Sequence, residues 1–498
     1  MDAGLPLTGL RVLELAGDLG GSAGRLLADL GADVVRVEDP TAPQRQPMAE
    51  ISVWGRELQN ANKRGVALVP GEPGDDATRS ALVAAADVVI DGRARYAEHP
   101  GLTAMAGASS GPVIVTMRPF DPAGPLAALP ATEHLLGALG GLVAHPGAEE
   151  EPVLPPVGLA EGLIGVHVAR AVLQGLLTQR ETGSAPPVDV IGVGVLAACV
   201  AEAAARGAAE ATANDVPGDM PATIGDVLRD GSGVQWEPAE AFPDLARRPV
   251  AVPGPVATVN GVSIGWRHGA PRGGEHRAEV VGEWLTDAAT DEGRTPWSRR
   301  AITGTRPLTP PSIDRDEVTP ARLRARSGVA DLWRRPDAPV LSGDQSLGYP
   351  GDVVEVLIDV LVAAVALADR PESDIHLRSV DLVRSHLGGH LAAESQVPGI
   401  AEAEGNLAVG EAPSGVFPCA QGRFCVVSIR DDADWAALCR AVGRPELADH
   451  PTLGTTAGRL ANRAAAAGVL TQWLLRRDPE AAIGTLQQHG VPAGLVAG

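Results

Sequence analysis

The chain has 498 residues, 45% of them hydrophobic and only 3% aromatic, with a formal net charge of −21. That length predicts two or three packed domains, and the acidic balance argues against nucleic acid or an anionic membrane surface as a partner. No apolar run reaches the length of a membrane span, and the opening MDAGLPLTG lacks the basic segment and apolar core of a secretory signal, so a cytoplasmic protein is expected. In chain order, the first element is a βαβ unit over 7–38. Val12, Leu13 and Leu15 make a strand, and Gly17, Gly20, Gly21 and Gly24 permit a tight turn. Leu26, Leu27 and Leu30 lie on one face of a helix that Gly31 ends, and Val34, Val35 and Val37 make the second strand. The helix N-terminus is a ready anion site.

The glycines, with Glu38 closing the second strand, resemble a dinucleotide fingerprint, but their spacing is not G-x-G-x-x-G. NAD binding is therefore kept as an alternative, beside a βαβ unit with no ligand. Further on, Asp75 to Ala85 reads as a helix, with Ala86–Ile90 and Val113–Met117 as strands. Alternating strands and helices predict a doubly wound parallel sheet. Thr132 to Leu142 reads as a helix ending at glycines, and a longer one follows from Val157 to Gly183. Cys199, Cys419, Cys425 and Cys439 show no CxxC spacing, so no metal site is expected and buried reduced thiols are the ordinary reading. Lys63 is the single lysine in the chain.

From Leu7 through Pro40 the sequence resembles the opening of the class III CoA-transferases, the CaiB/BaiF family. Asn60–Leu68 is similar to that family's N-x-N-K-R segment, and Ala270–His276 followed by Glu279–Trp284 to its closing A-P-x-x-G-E-H segment. Gly92 and Arg93 stand where the family has Asn and Phe. In the family an aspartate opens the long helix fourteen positions before an A-L pair. Gly175-Leu176 takes that pair's place, so the register puts Glu161 at the nucleophile's position, with Gly165 four residues on. The resemblance implies an α/β fold: a doubly wound, Rossmann-like parallel sheet domain with a smaller α/β domain. It also implies transfer of CoA from an acyl-CoA to a carboxylic acid, no tightly bound cofactor, and a homodimer. By the same resemblance the loop Asp18, Leu19, Gly20 and Gly21 lies against CoA or its acyl group. Lys63 and Arg64 join that group, Lys63 to balance a phosphate or the carboxylate.

A glutamate at this position tolerates the chemistry in principle, because any carboxylate can attack a thioester to form a mixed anhydride. The added methylene moves the carboxylate by roughly an ångström, a displacement that can cost about 100-fold. A surface glutamate favoured by the helix dipole is the reading without chemistry. His134 is the candidate base for a racemase alternative within the family, working with Glu161 across the α-carbon.

Asp291 to Thr319 reads as a linker. Beyond it, Ala363–Arg370 echoes the end of the long helix, and the same register places Asp352 as a second candidate nucleophile, with Asp344 also in a D-x-x-x-G setting. Ile375–Val380 then takes the next strand position, followed by a helix from Leu382 to Leu391. Gly415–Ile429 is a hairpin pattern turning at Ala420–Gly422, with helices beginning near Asp434 and Arg459. This last part resembles the family's small domain. The expected organisation is one unit over 1–290 with a reduced small domain, a linker over 291–319, and a second, partial unit over 320–498. A degenerate member that only binds CoA or serves as a structural partner is the alternative of another class.

Overall fold

The computed structural model describes residues 4–15, 17, 21–42, 49–92, 111–143, 152–210, 223–289, 297, 311–315, 326–327, 329–332, 351–370, 372–402, 405–408 and 410–496. Six parallel strands form the central sheet: β1 (Arg11–Leu15), β2 (Asp33–Glu38), β3 (Arg64–Ala67), β4 (Val88–Asp91), β5 (Val113–Arg118) and β6 (Val188–Ile191). Their order is β3-β2-β1-β4-β5-β6. All five residues of β1 are buried, as a strand covered on both faces requires. The direction of the strand order reverses between β1 and β4, and crevices outside the carboxyl ends of strands at such a switch point are where this architecture binds ligands. The expected doubly wound α/β fold is therefore the observed one.

Among the described residues, the helices of this part are α1 (Gly21–Asp29), α2 (Glu50–Asn60), α3 (Pro73–Ala85), α4 (Glu133–Leu139), α5 (Leu159–Thr182) and α6 (Gly192–Glu210). Helix α5 is apolar almost all round, because it packs α1 on one side and a helix of the distal half of the chain on the other. Gly158 (φ 94°) opens it and Gly183 (φ 86°) closes it, both left-handed positions that favour glycine. Among the described residues α5 is the one helix long and apolar enough to cross a membrane, which corrects the expectation that no run reaches that length. Its most apolar window is 78% buried inside the protein, so it serves as the core helix.

The closing segment of the first part seals the β3 edge. His276 N donates to Gly65 O at 3.0 Å, and Trp284 Nε1 donates to Asp33 Oδ2 at 2.8 Å. Strands β7 (Val234–Glu237) and β8 (Val250–Pro253) form a separate antiparallel pair. A second sheet draws on both halves of the chain. It joins β9 (Ala257–Val259), β10 (Val262–Ile264), β11 (Ser312–Arg315) and β12 (Asp374–Leu377) in the order β10-β9-β12-β11. Strand β11 lies within the stretch read as a linker, and runs parallel to β12.

After α7 (Ile224–Asp230) and α8 (Arg277–Ala289), the distal half contributes α9 (Gly351–Leu367), α10 (Ser379–His386) and α11 (Gly388–Gln396). Helix α9 packs along α5, and α11 packs against α2 and β8. One predicted helix over 382–391 is thus two, broken at Leu387. The C-terminal layer is the antiparallel sheet β13 (Gly415–Pro418), β14 (Phe424–Val427) and β15 (Ala493–Leu495). Its own core is built around Trp435 and Leu470. It docks on α4, where Thr132 Oγ1 and Ser428 Oγ lie 2.9 Å apart and Ala138 packs with Val416 and Val426.

Candidate active site

A cavity of about 260 Å³ lies where α1, α2, the start of α5 and the α10–α11 corner converge. Glu161, in the first turn of α5, lines it and is 8% exposed. Gln59 Nε2, from the last turn of α2, donates to Glu161 Oε2 at 2.7 Å. Burial pushes the Glu161 carboxyl up from its ordinary range. The Gln59 hydrogen bond, the charge of Lys63 and the Gly21 amide oppose that shift. The result is a desolvated carboxylate with one oxygen held by an amide side chain, at a helix N-terminus whose dipole favours negative charge.

Glu133 also lines the cavity. Its carboxylate accepts the Gly158 N–H at 2.8 Å and the Glu161 N–H at 3.2 Å, so it caps the open end of α5 from the first turn of α4. Burial first, and the nearby Glu161 charge second, raise its pKa to about 7. Sequence reasoning missed Glu133, although it sits beside the histidine that was singled out. An acidic residue in the first turn of a helix is ordinary, and nothing local tells that this one reaches over to a second helix.

The other expected site residues fall in different places. Gly21 opens α1 and approaches Glu161: a Cβ there would lie 3.7 Å from Glu161 Oε1. Asp18, Leu19 and Gly20 lie outside the described residues. Lys63 is 1% exposed and reaches Glu14 Oε2 at 2.8 Å, Gly21 O at 2.8 Å and Asn60 Oδ1 at 3.1 Å. Burial lowers its pKa to about 8. It does not line the cavity, and so acts on Glu161 through its charge and through its hold on the Gly21 carbonyl. Arg64 is turned away from the cavity, to Asp33, Glu279 and Glu283. His134 is not a lining residue either, and burial lowers its pKa to about 4. Asp352 opens α9, its side chain lying outside the described residues, as does Asp344 altogether. Among the described residues no group of His, Cys, Asp and Glu is placed to hold a metal ion.

The glycines near β1 meet other parts of the protein. A Cβ at Gly17 would overlap the Gly92 carbonyl, and one at Gly24 would overlap the Glu14 carboxylate. One at Gly165 would lie 2.6 Å from Ser22 Cβ, so that glycine lets α5 touch α1. Glu38 is paired with Arg36 at 2.8 Å. These contacts give Gly17 and Gly24 a packing role.

Fold and site together define a doubly wound α/β protein with a buried carboxylate at a helix N-terminus, facing a cavity between helices. The model of CoA-transferase family III matches residues 7–243 and 323–498, and the chain belongs to that family. It is similar to a probable CoA-transferase of Mycobacterium tuberculosis, 29% identical over 42% of this chain and 25% of that protein. It is likewise similar to the succinate–glutarate CoA-transferase of Agrobacterium fabrum, 30% identical over 39% of this chain and 53% of that protein. The chain thus spans between a quarter and about half of the length of these relatives. A CaiB/BaiF family protein from Brucella suis aligns over 99% of this chain and 84% of its own, at 16% identity and a TM-score of 0.35.

Proposed function

We propose that the protein transfers CoA from an acyl-CoA to a carboxylic acid, with Glu161 as the carboxylate nucleophile. The observation that carries this reading is the desolvated Glu161 carboxylate, held by Gln59 at 2.7 Å inside the cavity. The relatives named for CoA transfer support the reaction class.

In this reading a Glu161 oxygen attacks the thioester carbonyl carbon. The C–S bond breaks, CoA thiolate leaves, and a mixed anhydride remains. The thiolate attacks the Glu161 side-chain carbonyl and expels the donor carboxylate, leaving a Glu161–CoA thioester. The acceptor carboxylate attacks that carbonyl in turn, forming a second anhydride and releasing thiolate again. The thiolate then takes the acceptor's acyl carbon, and the Glu161 carboxylate is regenerated. Glu133 holds the backbone of Glu161 throughout, and Gln59 orients its attacking group. Residues 1–290 and 320–498 are read as two partial units of the family, working in the cytoplasm as a homodimer. The four buried free cysteines are consistent with a reducing compartment.

Intact-protein mass spectrometry with a panel of acyl-CoAs and hydroxylamine trapping tests the assignment. A CoA-sized adduct on wild type that is absent from Glu161→Gln is the expected result. An adduct that persists in Glu161→Gln overturns Glu161 and points to Asp352 or Asp344. No adduct from any donor overturns transfer and favours the non-catalytic partner.

A further inference from the structure

One wall of the cavity comes from the distal half of the chain. Leu382, Ser385 and His386 at the end of α10, with Gly388 and Gly389 at the start of α11, line it together with Glu161 and Gly162. His386 presses directly on the first turn of α5. A Cβ built at Gly162 would overlap the imidazole ring, and one at Gly158 would overlap the His386 carbonyl. The following turn is equally tight against α2, because a Cβ at Gly389 would lie 2.6 Å from Ile51 O and 2.9 Å from Gly55 N. Backbone contacts on both sides therefore wedge this corner in place. The ring is neutral at physiological pH, since burial lowers its pKa to about 4. It offers the cavity bulk and a neutral surface beside the residue that follows Glu161.

We propose that His386 is the size stop of the acyl pocket: its ring limits the length of the acyl chain that fits beside Glu161. This rests on the reading of Glu161 as the group that carries the acyl chain. An acyl carbon joined to a Glu161 oxygen must extend into the cavity, whose lining sets the aliphatic Val157, Val166, Val256 and Leu382 beside polar residues such as Arg25 and Arg56. Aliphatic side chains closed off by a fixed ring suit short straight-chain carboxylic acids. Aliphatic contacts of this kind discriminate by length, at roughly 10-fold or more per misfitted methylene.

The test is calorimetric binding of straight-chain acids from acetate to octanoate to wild type, His386→Ala and His386→Phe. Wild type is expected to bind the short acids and to lose affinity sharply beyond a definite length. His386→Ala should move that limit outward by about two carbons, raising affinity for the first excluded acids at least ~10-fold while the shortest acids change little. His386→Phe keeps a ring on Gly162 with added bulk, and should move the limit inward; it decides the matter if the alanine variant does not fold. An identical length profile in wild type and variants overturns the size stop, as does a wild type that binds no acid of any length. These readouts need no turnover. A protein with the expected shift but no CoA adduct by mass would retain the size stop and lose the transferase reading.

Discussion

Glu133 accepts the backbone N–H of Glu161 at 3.2 Å, so one half-buried carboxylate holds the backbone that carries another, buried one. The two acids sit on different helices, α4 and α5, and both line the cavity. Their proximity is one cause of the raised pKa of Glu133, second to burial. The arrangement therefore couples the order of the site to pH.

The sign of that coupling is definite. The Glu133 pKa of about 7 in the fold lies above the ordinary carboxyl value of 4.5. Its contribution to stability is full below the unfolded value and is lost as pH rises through the folded value. Urea denaturation of wild type should show stability falling between pH 5 and 7.5, with this group contributing on the order of 2 kcal/mol. Glu133→Gln, which cannot ionise, should flatten that fall. An unchanged slope in the variant would assign the pH dependence elsewhere.

Glu161→Asp shortens the side chain by one methylene and withdraws its carboxylate from Gln59, now at 2.7 Å. Transfer activity should drop by about 100-fold, with the melting temperature little changed. Steady-state kinetics on any acyl-CoA that wild type accepts reads this directly. An active Asp variant would show that Gln59 does not set the position of attack.

Lys63→Met leaves Glu14 buried with Arg36, at 3.2 Å, as its remaining cation among the described residues. Removing one partner of a buried pair typically costs 3–5 kcal/mol, so the variant should unfold at markedly lower urea. Its loss also takes a favourable charge from Glu161 and releases the Gly21 carbonyl. The midpoint of the activity–pH profile should therefore move up in whatever fraction still folds.

Two helical glycines should respond with opposite signs. At Gly165 a Cβ would lie 2.6 Å from Ser22 Cβ and 3.0 Å from Ala23 N, so Gly165→Ala pushes α5 off α1 and should destabilise by about 1–3 kcal/mol. At Gly468, in the helix Arg463–Leu474, no atom of the described residues beyond its own stretch of helix lies within 4 Å of the added Cβ. Gly468→Ala should stabilise by up to about 1 kcal/mol through helix propensity alone. Thermal melts of the two variants compare packing with propensity in a single protein.

Local pattern made much of the scaffold legible. The run Val12–Val37 reads as strand, helix and strand because apolar spacing switches period there, and β1, α1 and β2 occupy those places. Val113–Met117 is a strand as expected, the hairpin around Ala420–Gly422 is present, and the long helix lies within one to two residues of its predicted ends. Helix α2, which carries Gln59, was not read at all. Strand β11 was hidden in a stretch rich in Arg, Thr and Pro, because its partner β12 lies far along the chain and pairing is not a local property.

Register against a familiar sequence pattern singled out Glu161, and α5 presents that residue to a cavity. By itself the sequence determined the parallel sheet, the core helix and the position of one carboxylate, since apolar periodicity and glycine at helix ends act within a few residues. Only the tertiary structure decided what that carboxylate meets. Gln59 reaches it across 102 positions, Glu133 caps its backbone across 28, and His386 arrives from the distal half to line the cavity. The same packing turned Lys63 inward to Glu14 and Arg64 outward to Asp33. The physical reason is that burial and charge pairing depend on which helices pack together, and that choice is made by the whole core.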